Sequence, residues 1–284
     1  EGIIGFNIMV ATRNYAEYVK EAVKAGADII ISGAGLPVNL PEYVKGSKTR
    51  IAPIVSSVKS AMVICKMWDR KYHVAPDAVV VEGPLAGGHL GFSVEQLSEL
   101  GADTDDVPKT YRRDEYDKEV KGIIALVKEY AAKYGRHIPV ITAGGIYDHQ
   151  DVMHQMELGV DGVQVATRFV TTEECDAPMA YKQAYIDAKK EDIVITKSPV
   201  GMPGRAIKNP FLRRVGAEKP VIDKCYKCLE KCNPAAIPYC ITKALVNAAR
   251  GNEDEALLFC GSNAYRATKI ETVDAVMREL CGEC

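Results

Sequence analysis

The chain has 284 residues, 47% hydrophobic and 26% charged, which is long enough for one large domain with a buried core. Its 36 basic and 38 acidic side chains give a net charge of −2, so the strongly basic surface of a nucleic-acid-binding protein is excluded. No run of about 18 apolar residues is present to cross a membrane. The nine cysteines are too sparse for a dense disulfide scaffold, and we expect a soluble, cytoplasmic globular protein.

Six short apolar segments alternate with helical patterns along the first two thirds of the chain. The predicted strands lie near residues 3–10, 28–32, 50–55, 77–82, 137–142 and 161–166, and the clearest later helices near 57–68, 114–134 and 148–158. Strands that are apolar on both faces and alternate with helices indicate a parallel α/β sheet. Open doubly wound sheets also fit, but the pattern favours a TIM (β/α)8 barrel that lacks its first two βα units.

The pattern changes from about residue 198, where prolines and glycines are predicted to break any regular structure. Four cysteines then fall within sixteen residues, and helical patterns return near 241–250 and 271–280. We therefore predict an α/β barrel (strands 3 to 8) over residues 1–212. A cysteine-rich helical extension over residues 213–284 is predicted to pack on it.

A glycine-rich loop follows the fourth predicted strand, at the strand end where parallel α/β folds build their sites. Gly87 and Gly88 allow a backbone to approach a ligand closely, and His89 can titrate near neutral pH. A flexible turn with a surface histidine is an equally good interpretation of this loop alone.

The loops after the fifth and sixth predicted strands can offer backbone N–H groups to a phosphate. The first contains Gly144 and Gly145, and the second contains Ala166 and Thr167. Ordinary strand-to-helix turns also favour glycine. Phosphate binding is nevertheless favoured, because these loops would follow strands seven and eight of a barrel, where a phosphate is often held.

Four cysteines, Cys225, Cys228, Cys232 and Cys240, have the spacing C-x2-C-x3-C-x7-C. Thiolates at this density can hold an iron–sulfur cluster or zinc. The spacing matches neither the ferredoxin nor the zinc-finger pattern, and free thiols in a reducing cytosol are slightly favoured. Cys260, Cys281 and Cys284 follow farther along the chain.

Taken in order, Asn7 and the motifs SGAG, EGPLAGGHLG, TAGGI and QVATRF resemble the nitronate monooxygenase family, formerly the 2-nitropropane dioxygenases. The resemblance covers roughly residues 2–212. Members of this family are FMN-dependent TIM barrels, related to flavin-dependent enoyl-acyl-carrier-protein reductases and some NAD(P)H:quinone reductases. The resemblance implies that two further βα units precede this chain, including a glycine-rich loop of the flavin site. Residues 259–266 resemble a segment that returns to the barrel in relatives.

The resemblance implies an FMN site built from the strand ends. Its residues would be Asn7 and Glu82 near the flavin, Gly87 and Gly88 approaching it, and a phosphate cradle of Gly144, Gly145, Gln164, Val165, Ala166 and Thr167. Many relatives have glutamine at the position of Glu82 and glycine at that of Ala166.

His89 matches the active-site histidine of the family. Its implied role is to take the α-proton of a neutral nitroalkane or, as imidazolium, to hold an anionic nitronate. The implied reaction is oxidation of alkyl nitronates with O2 to carbonyl compounds and nitrite.

The sequence leaves two other functions open. In one, NAD(P)H is the electron donor for reduction of an enoyl thioester or quinone, and in the other the chain binds flavin or phosphate without turnover. All three imply a small-molecule ligand, with no nucleic-acid or membrane partner. Nothing in the sequence marks an interface, so formation of a homo-oligomer stays open.

Overall fold

The computed structural model describes residues 2–103, 110–218 and 221–283. In chain order its strands are β1 (Gly5–Met9), β2 (Ile29–Gly33), β3 (Arg50–Val55), β4 (Val79–Glu82), β5 (Gly88–His89), β6 (Val140–Ala143), β7 (Gly162–Gln164), β8 (Ile193–Lys197) and β9 (Pro203–Ile207). Six of them form one parallel sheet in the order β1-β2-β3-β4-β6-β7. These are the six predicted strands, so the parallel α/β prediction is confirmed. Within the described residues the sheet is a curled half-barrel with β1 and β7 at its two edges.

Helices alternate with the parallel strands and continue into the C-terminal part. They are α1 (Tyr15–Lys24), α2 (Leu40–Tyr43), α3 (Val58–Tyr72), α4 (Val94–Glu99), α5 (Arg113–Tyr134), α6 (His149–Leu158), α7 (Thr167–Val170), α8 (Met179–Asp187), α9 (Pro210–Ala217), α10 (Ile241–Ala249) and α11 (Val273–Cys281). Reciprocal capping boxes begin α3 at Ser57 and α6 at Asp148. None of the described helices has the length and apolar composition that a membrane span requires.

The main core lies between the half-barrel sheet and its helices. Val81 of β4, Ile64 and Trp68 of α3 and Ile123 of α5 are completely buried in one apolar cluster. The Trp68 indole also satisfies its polar group, donating to the Pro37 carbonyl at 3.1 Å. The helices pack against the sheet and hold its strands in place, so that the carboxyl ends of the strands form a defined edge.

The register of three neighbouring strands aligns their carboxyl ends. Glu82, the last residue of β4, pairs with Ala143 at the end of β6, and Ala143 pairs with Gln164 at the end of β7. The loops after these three strands therefore begin at the same edge of the sheet and lie close together.

A second sheet, not expected from the sequence, is antiparallel with the order β5-β9-β8. The prediction that prolines and glycines break all regular structure after residue 198 is wrong for residues 203–207. Pro203 occupies the first position of β9, where its missing N–H is tolerated, and β8 supplies the pairing partner.

The helices α10 and α11 confirm the two predicted helical patterns of the extension. Residues 221–240 between α9 and α10 contain no helix, and an isolated bridge joins Leu229 to Thr12. The boundary predicted after residue 212 falls within α9 and stays a prediction. Cys284 lies outside the described residues.

Candidate functional site

A cavity of about 300 Å³ lies at the carboxyl ends of β4, β6 and β7. Its size is at the lower end of the range for small-molecule sites. Nine of the ten residues proposed from the sequence to hold a cofactor line it, namely Glu82, Gly87, Gly88, Gly144, Gly145, Gln164, Val165, Ala166 and Thr167. Asn7 lies on β1, is exposed and does not line this cavity. Its contact with a cofactor stays a prediction.

The glycine pair after β6 is required by the way the loops pack. Gly144 and Gly145 have φ angles of +101° and +78°, which side chains other than glycine rarely adopt. A Cβ on Gly144 would lie 2.7 Å from the backbone nitrogen of Ala86, and one on Gly145 would lie 2.9 Å from the Leu85 Cβ. The pair therefore lets two loops meet closely and leaves a side-chain-free cradle at the cavity wall, which fits the phosphate expected there.

His89, the expected catalytic residue, lies on β5 and is not among the residues that line the cavity. Its Nε2 shares a hydrogen bond of 2.7 Å with the Ser198 hydroxyl, and its ring packs edge-on against Phe259 with centroids 4.9 Å apart. Phe259 itself lines the cavity. Burial lowers the pKa of His89 to about 4, so the imidazole is neutral near pH 7. In this state it can accept a proton.

Glu82 provides the carboxyl group of the cavity lining. Burial raises its pKa to about 7, and a backbone hydrogen bond from Gly91 and the charge of Arg205 act in the opposite direction. Near neutral pH this carboxyl group is therefore divided between its protonated and ionised forms, and can donate or accept a proton.

Arg205 was not found from the sequence. Its side chain on β9 is completely buried, and its guanidinium donates hydrogen bonds to the carbonyls of Pro84, Ala86 and Ala102. It thereby fixes the loop that carries Gly87 and Gly88. The sequence around Arg205 does not indicate this role, because an arginine outside any predicted helix or strand is ordinarily exposed.

Four residues of the segment 259–263 also line the cavity, as its resemblance to a returning segment implied: Phe259, Cys260, Gly261 and Asn263. The Gly261 N–H donates to the Thr167 hydroxyl at 2.9 Å, and the Asn263 amide donates to the Gly145 carbonyl at 2.7 Å. Tyr181 and Tyr185 of α8 also line the cavity, with their rings stacked 5.5 Å apart. The tyrosines were missed, although their i, i+4 spacing places both on one helix face.

The four clustered cysteines line a second cavity, beside the loop that follows β1. Arg13 of that loop and Ile241 of α10 contribute to the same lining, and all four thiols are free. Burial raises the pKa of the Cys232 thiol, and Cys228, Cys225 and Cys240 add to this effect as neighbouring like charges. Among the described residues no three His, Cys, Asp or Glu side chains are arranged to hold a metal ion. Metal binding by these cysteines stays a prediction.

A parallel half-barrel sheet with a glycine-lined cavity at its carboxyl-terminal edge defines a partial (β/α)8-barrel protein with a small-molecule site. Residues 3–283 match the family model for nitronate monooxygenase, so the chain belongs to the nitronate monooxygenase family. The match extends beyond the barrel and includes the cysteine-rich part.

Curated relatives include two probable nitronate monooxygenases from staphylococci. The chain is 29% identical over 220 residues to one from Staphylococcus saprophyticus, covering 74% of this chain and 54% of the relative. It is 26% identical over 208 residues to one from Staphylococcus aureus strain JH9, covering 73% and 51%. The chain thus spans about half the length of the curated relatives it matches.

Solved structures share the fold over almost the whole chain. FabK from Thermotoga maritima has a TM-score of 0.72 at 23% identity, covering 100% of this chain and 76% of its own. Nitroalkane oxidase from Streptomyces ansochromogenes has a TM-score of 0.65 at 18% identity, covering 99% and 81%. At these identities the likeness is one of fold.

Proposed function

We propose that the protein is an FMN-dependent oxidoreductase that oxidises alkyl nitronates with O2 to carbonyl compounds and nitrite. The observation that carries the proposal is the convergence of nine expected cofactor-binding residues on one cavity, with His89 in ring contact with Phe259 of the cavity lining. Membership of the nitronate monooxygenase family supports the choice of substrate.

The cavity has parts suited to both ends of FMN. Gly144 and Gly145, which line the cavity together with Thr167, would hold the phosphate, because their backbone can approach it without a side chain intervening. Glu82 would lie near the flavin ring, and its protonated form would donate a hydrogen bond there. When bound, FMN supplies the electron-accepting centre and the reaction with oxygen.

His89 would act as the base that takes the α-proton of a neutral nitroalkane. Its burial favours the neutral imidazole over the imidazolium, and the Ser198 hydroxyl holds Nε2 in place. An anionic nitronate would bring a negative charge close to the ring and raise the pKa of His89. A protonated His89 would then pair with the nitronate.

A second candidate is an NAD(P)H-dependent flavin reductase acting on an enoyl thioester or quinone. The observation that favours it is the cavity of four thiols at the carboxyl-terminal edge of the sheet. A metal centre at that position would suit electron input better than reaction with oxygen.

The visible spectrum of the FMN-loaded protein under anaerobic conditions distinguishes these functions. Bleaching of the flavin bands by a nitronate but not by NADH or NADPH supports nitronate oxidation, provided that admitting O2 then yields nitrite and a carbonyl product. Bleaching by NADH or NADPH alone supports the reductase. Retention of FMN with neither response indicates a binding protein without turnover.

A further inference from the structure

We propose that Cys225, Cys228, Cys232 and Cys240 are the thiolate ligands of an iron–sulfur cluster. The four residues line one cavity, although the last is eight residues beyond the third, so the fold itself gathers them. The lining is otherwise mainly apolar, with Ile222, Leu229, Ile237 and Ile241. Soft thiolate ligands in an apolar shell are the usual environment of such clusters.

Between the first two cysteines, the backbone places an N–H group close to a cysteine sulfur atom. Lys227 adopts a φ of +53°, which is rare for a residue other than glycine. This conformation directs its N–H to the Cys225 sulfur at 3.4 Å. Hydrogen bonds from N–H groups to sulfur are one way that proteins tune iron–sulfur clusters.

The grouping of the cysteines favours a cluster over a single zinc ion. Three of them lie within eight residues and the fourth is more distant, a grouping that plant-type ferredoxins share although their intervals differ.

The segment that carries the cysteines has no helix of its own, and Leu229 and Tyr239 anchor it in the C-terminal apolar cluster. Residues 221–240 form no helix, and their links to the half-barrel include a Cys228 carbonyl that accepts from Arg13 N–H at 3.1 Å. Glu230 N–H donates to the Ala11 carbonyl at 3.0 Å. Long segments without regular structure inside a compact protein are usually functional. Because residues 11–13 follow β1, the cluster would lie at the same edge of the sheet as the flavin site.

The test is reconstitution of the full chain with ferrous iron and sulfide under anaerobic conditions, followed by iron, sulfide and zinc analysis. We expect iron and acid-labile sulfide in about equal amounts and an electron paramagnetic resonance signal after reduction by dithionite. Cys228→Ser and Cys232→Ser should each lower bound iron to about a tenth or less, whereas Cys175→Ser, outside the cavity, should not. One zinc per chain without iron, or no metal at all, would overturn the proposal. Equal iron in all variants would also overturn it.

A second measurement on the unmutated protein guards against variants that fail to fold. In the reconstituted protein the four thiols should resist iodoacetamide and become reactive after the cluster is removed by a chelator and oxidant. The exposed Cys281 should react in both states. Equal alkylation of the four thiols before and after removal would contradict the proposal. Neither readout depends on flavin binding or nitronate turnover, so failure of the proposed function leaves this test intact.

Discussion

At the scale of single residues, the cavity region contains two titratable groups whose uncharged forms are favoured by burial. Burial raises the pKa of the Glu82 carboxyl to about 7 and lowers that of the His89 imidazole to about 4. With a pKa close to 7, the Glu82 carboxyl can exchange a proton with a ligand near neutral pH at little energetic cost, whereas His89 needs a negative charge nearby to raise its pKa before it holds a proton there. The same shifts make the stability of the folded protein depend on pH, with opposite signs.

For Glu82 the unfolded chain ionises near pH 4.5 and the folded protein near pH 7. Between these values only the unfolded chain has lost the proton, so raising the pH favours unfolding, and the penalty is complete above pH 7. We predict that Glu82→Gln removes a penalty of about 3 kcal/mol at pH 8 and changes little below pH 4.5, since one pKa unit corresponds to about 1.4 kcal/mol.

Urea unfolding of both proteins across this pH range measures the difference. In the variant the remaining His89 effect should make stability rise with pH between about 4 and 6.5, because there the unfolded chain alone binds the proton. Glu157→Gln on the exposed face of α6 is the control and should show no such divergence. A constant offset between Glu82→Gln and the unmutated protein at all pH values would contradict the assignment.

For His89 we predict that substitution by alanine lowers turnover of a neutral nitroalkane about 100-fold or more, because the base is lost. FMN should remain bound, since the glycine cradle of Gly144 and Gly145 is untouched. Steady-state kinetics and the flavin spectrum measure the two effects separately. The control is His137→Ala, whose side chain is exposed and pairs with Asp161 at the surface. Unchanged turnover in His89→Ala would remove this residue from the mechanism.

The motifs made His89 and Glu82 candidates, because Glu82 ends β4 and His89 follows in the glycine-rich loop after it. Arg205 and Ser198 could not be identified in this way. Each acts on a residue more than 100 positions away, and the contact exists only once β9 and its connection pack against the loop after β4. The sequence around Arg205 and Ser198 gives no indication of these contacts.

At the scale of elements, the loop after β4 and the segment of residues 259–263 pack backbone against backbone. A Cβ on Gly87 would lie 2.4 Å from the Cys260 carbonyl carbon and 2.5 Å from the Gly261 nitrogen. No rotamer change can relieve a contact between a Cβ and a backbone. The glycine is therefore required by the protein itself, in addition to any approach to FMN.

We predict that Gly87→Ala displaces residues 259–263, costs about 1–3 kcal/mol of unfolding free energy and weakens FMN binding at least tenfold. Gly162→Ala in β7 is the matched control, because its Cβ would meet no atom within 4 Å. Denaturant unfolding and fluorescence titration with FMN measure the two effects. Equal behaviour of the two variants would show that the close approach is not maintained in solution.

The parallel strands were predictable because each is a continuous apolar segment between helices. The antiparallel sheet was not, because β5 has two residues and β9 begins at a proline. The β8–β9 pair is local, but the addition of β5, more than 100 residues from β9, and the burial of Arg205 are not. Local patterns contain neither of these two contributions.

At the scale of the whole molecule, the C-terminal part is joined to the half-barrel at several points. Residues 259–263 bind the cavity loops, and Arg168 of α7 is buried between Glu271 and Glu279 beside α11. Residues 228–230 bind the loop after β1. The apolar clusters around Trp68 and around Tyr185 are thus connected through the cavity wall, and the two parts should not unfold independently.

We therefore predict one cooperative unfolding transition, observed at the same denaturant concentration by every probe. The single tryptophan, Trp68, reports on the main core of the half-barrel, and a fluorophore on the exposed Cys281 reports on α11. Far-ultraviolet circular dichroism averages over both. Coincident curves indicate that the extension is an integral part of the folded unit, because the cavity wall couples the clusters. An earlier transition at Cys281 with Trp68 unchanged would instead support an independent unit beginning near residue 213, and would show that the contacts of residues 259–263 contribute little to stability.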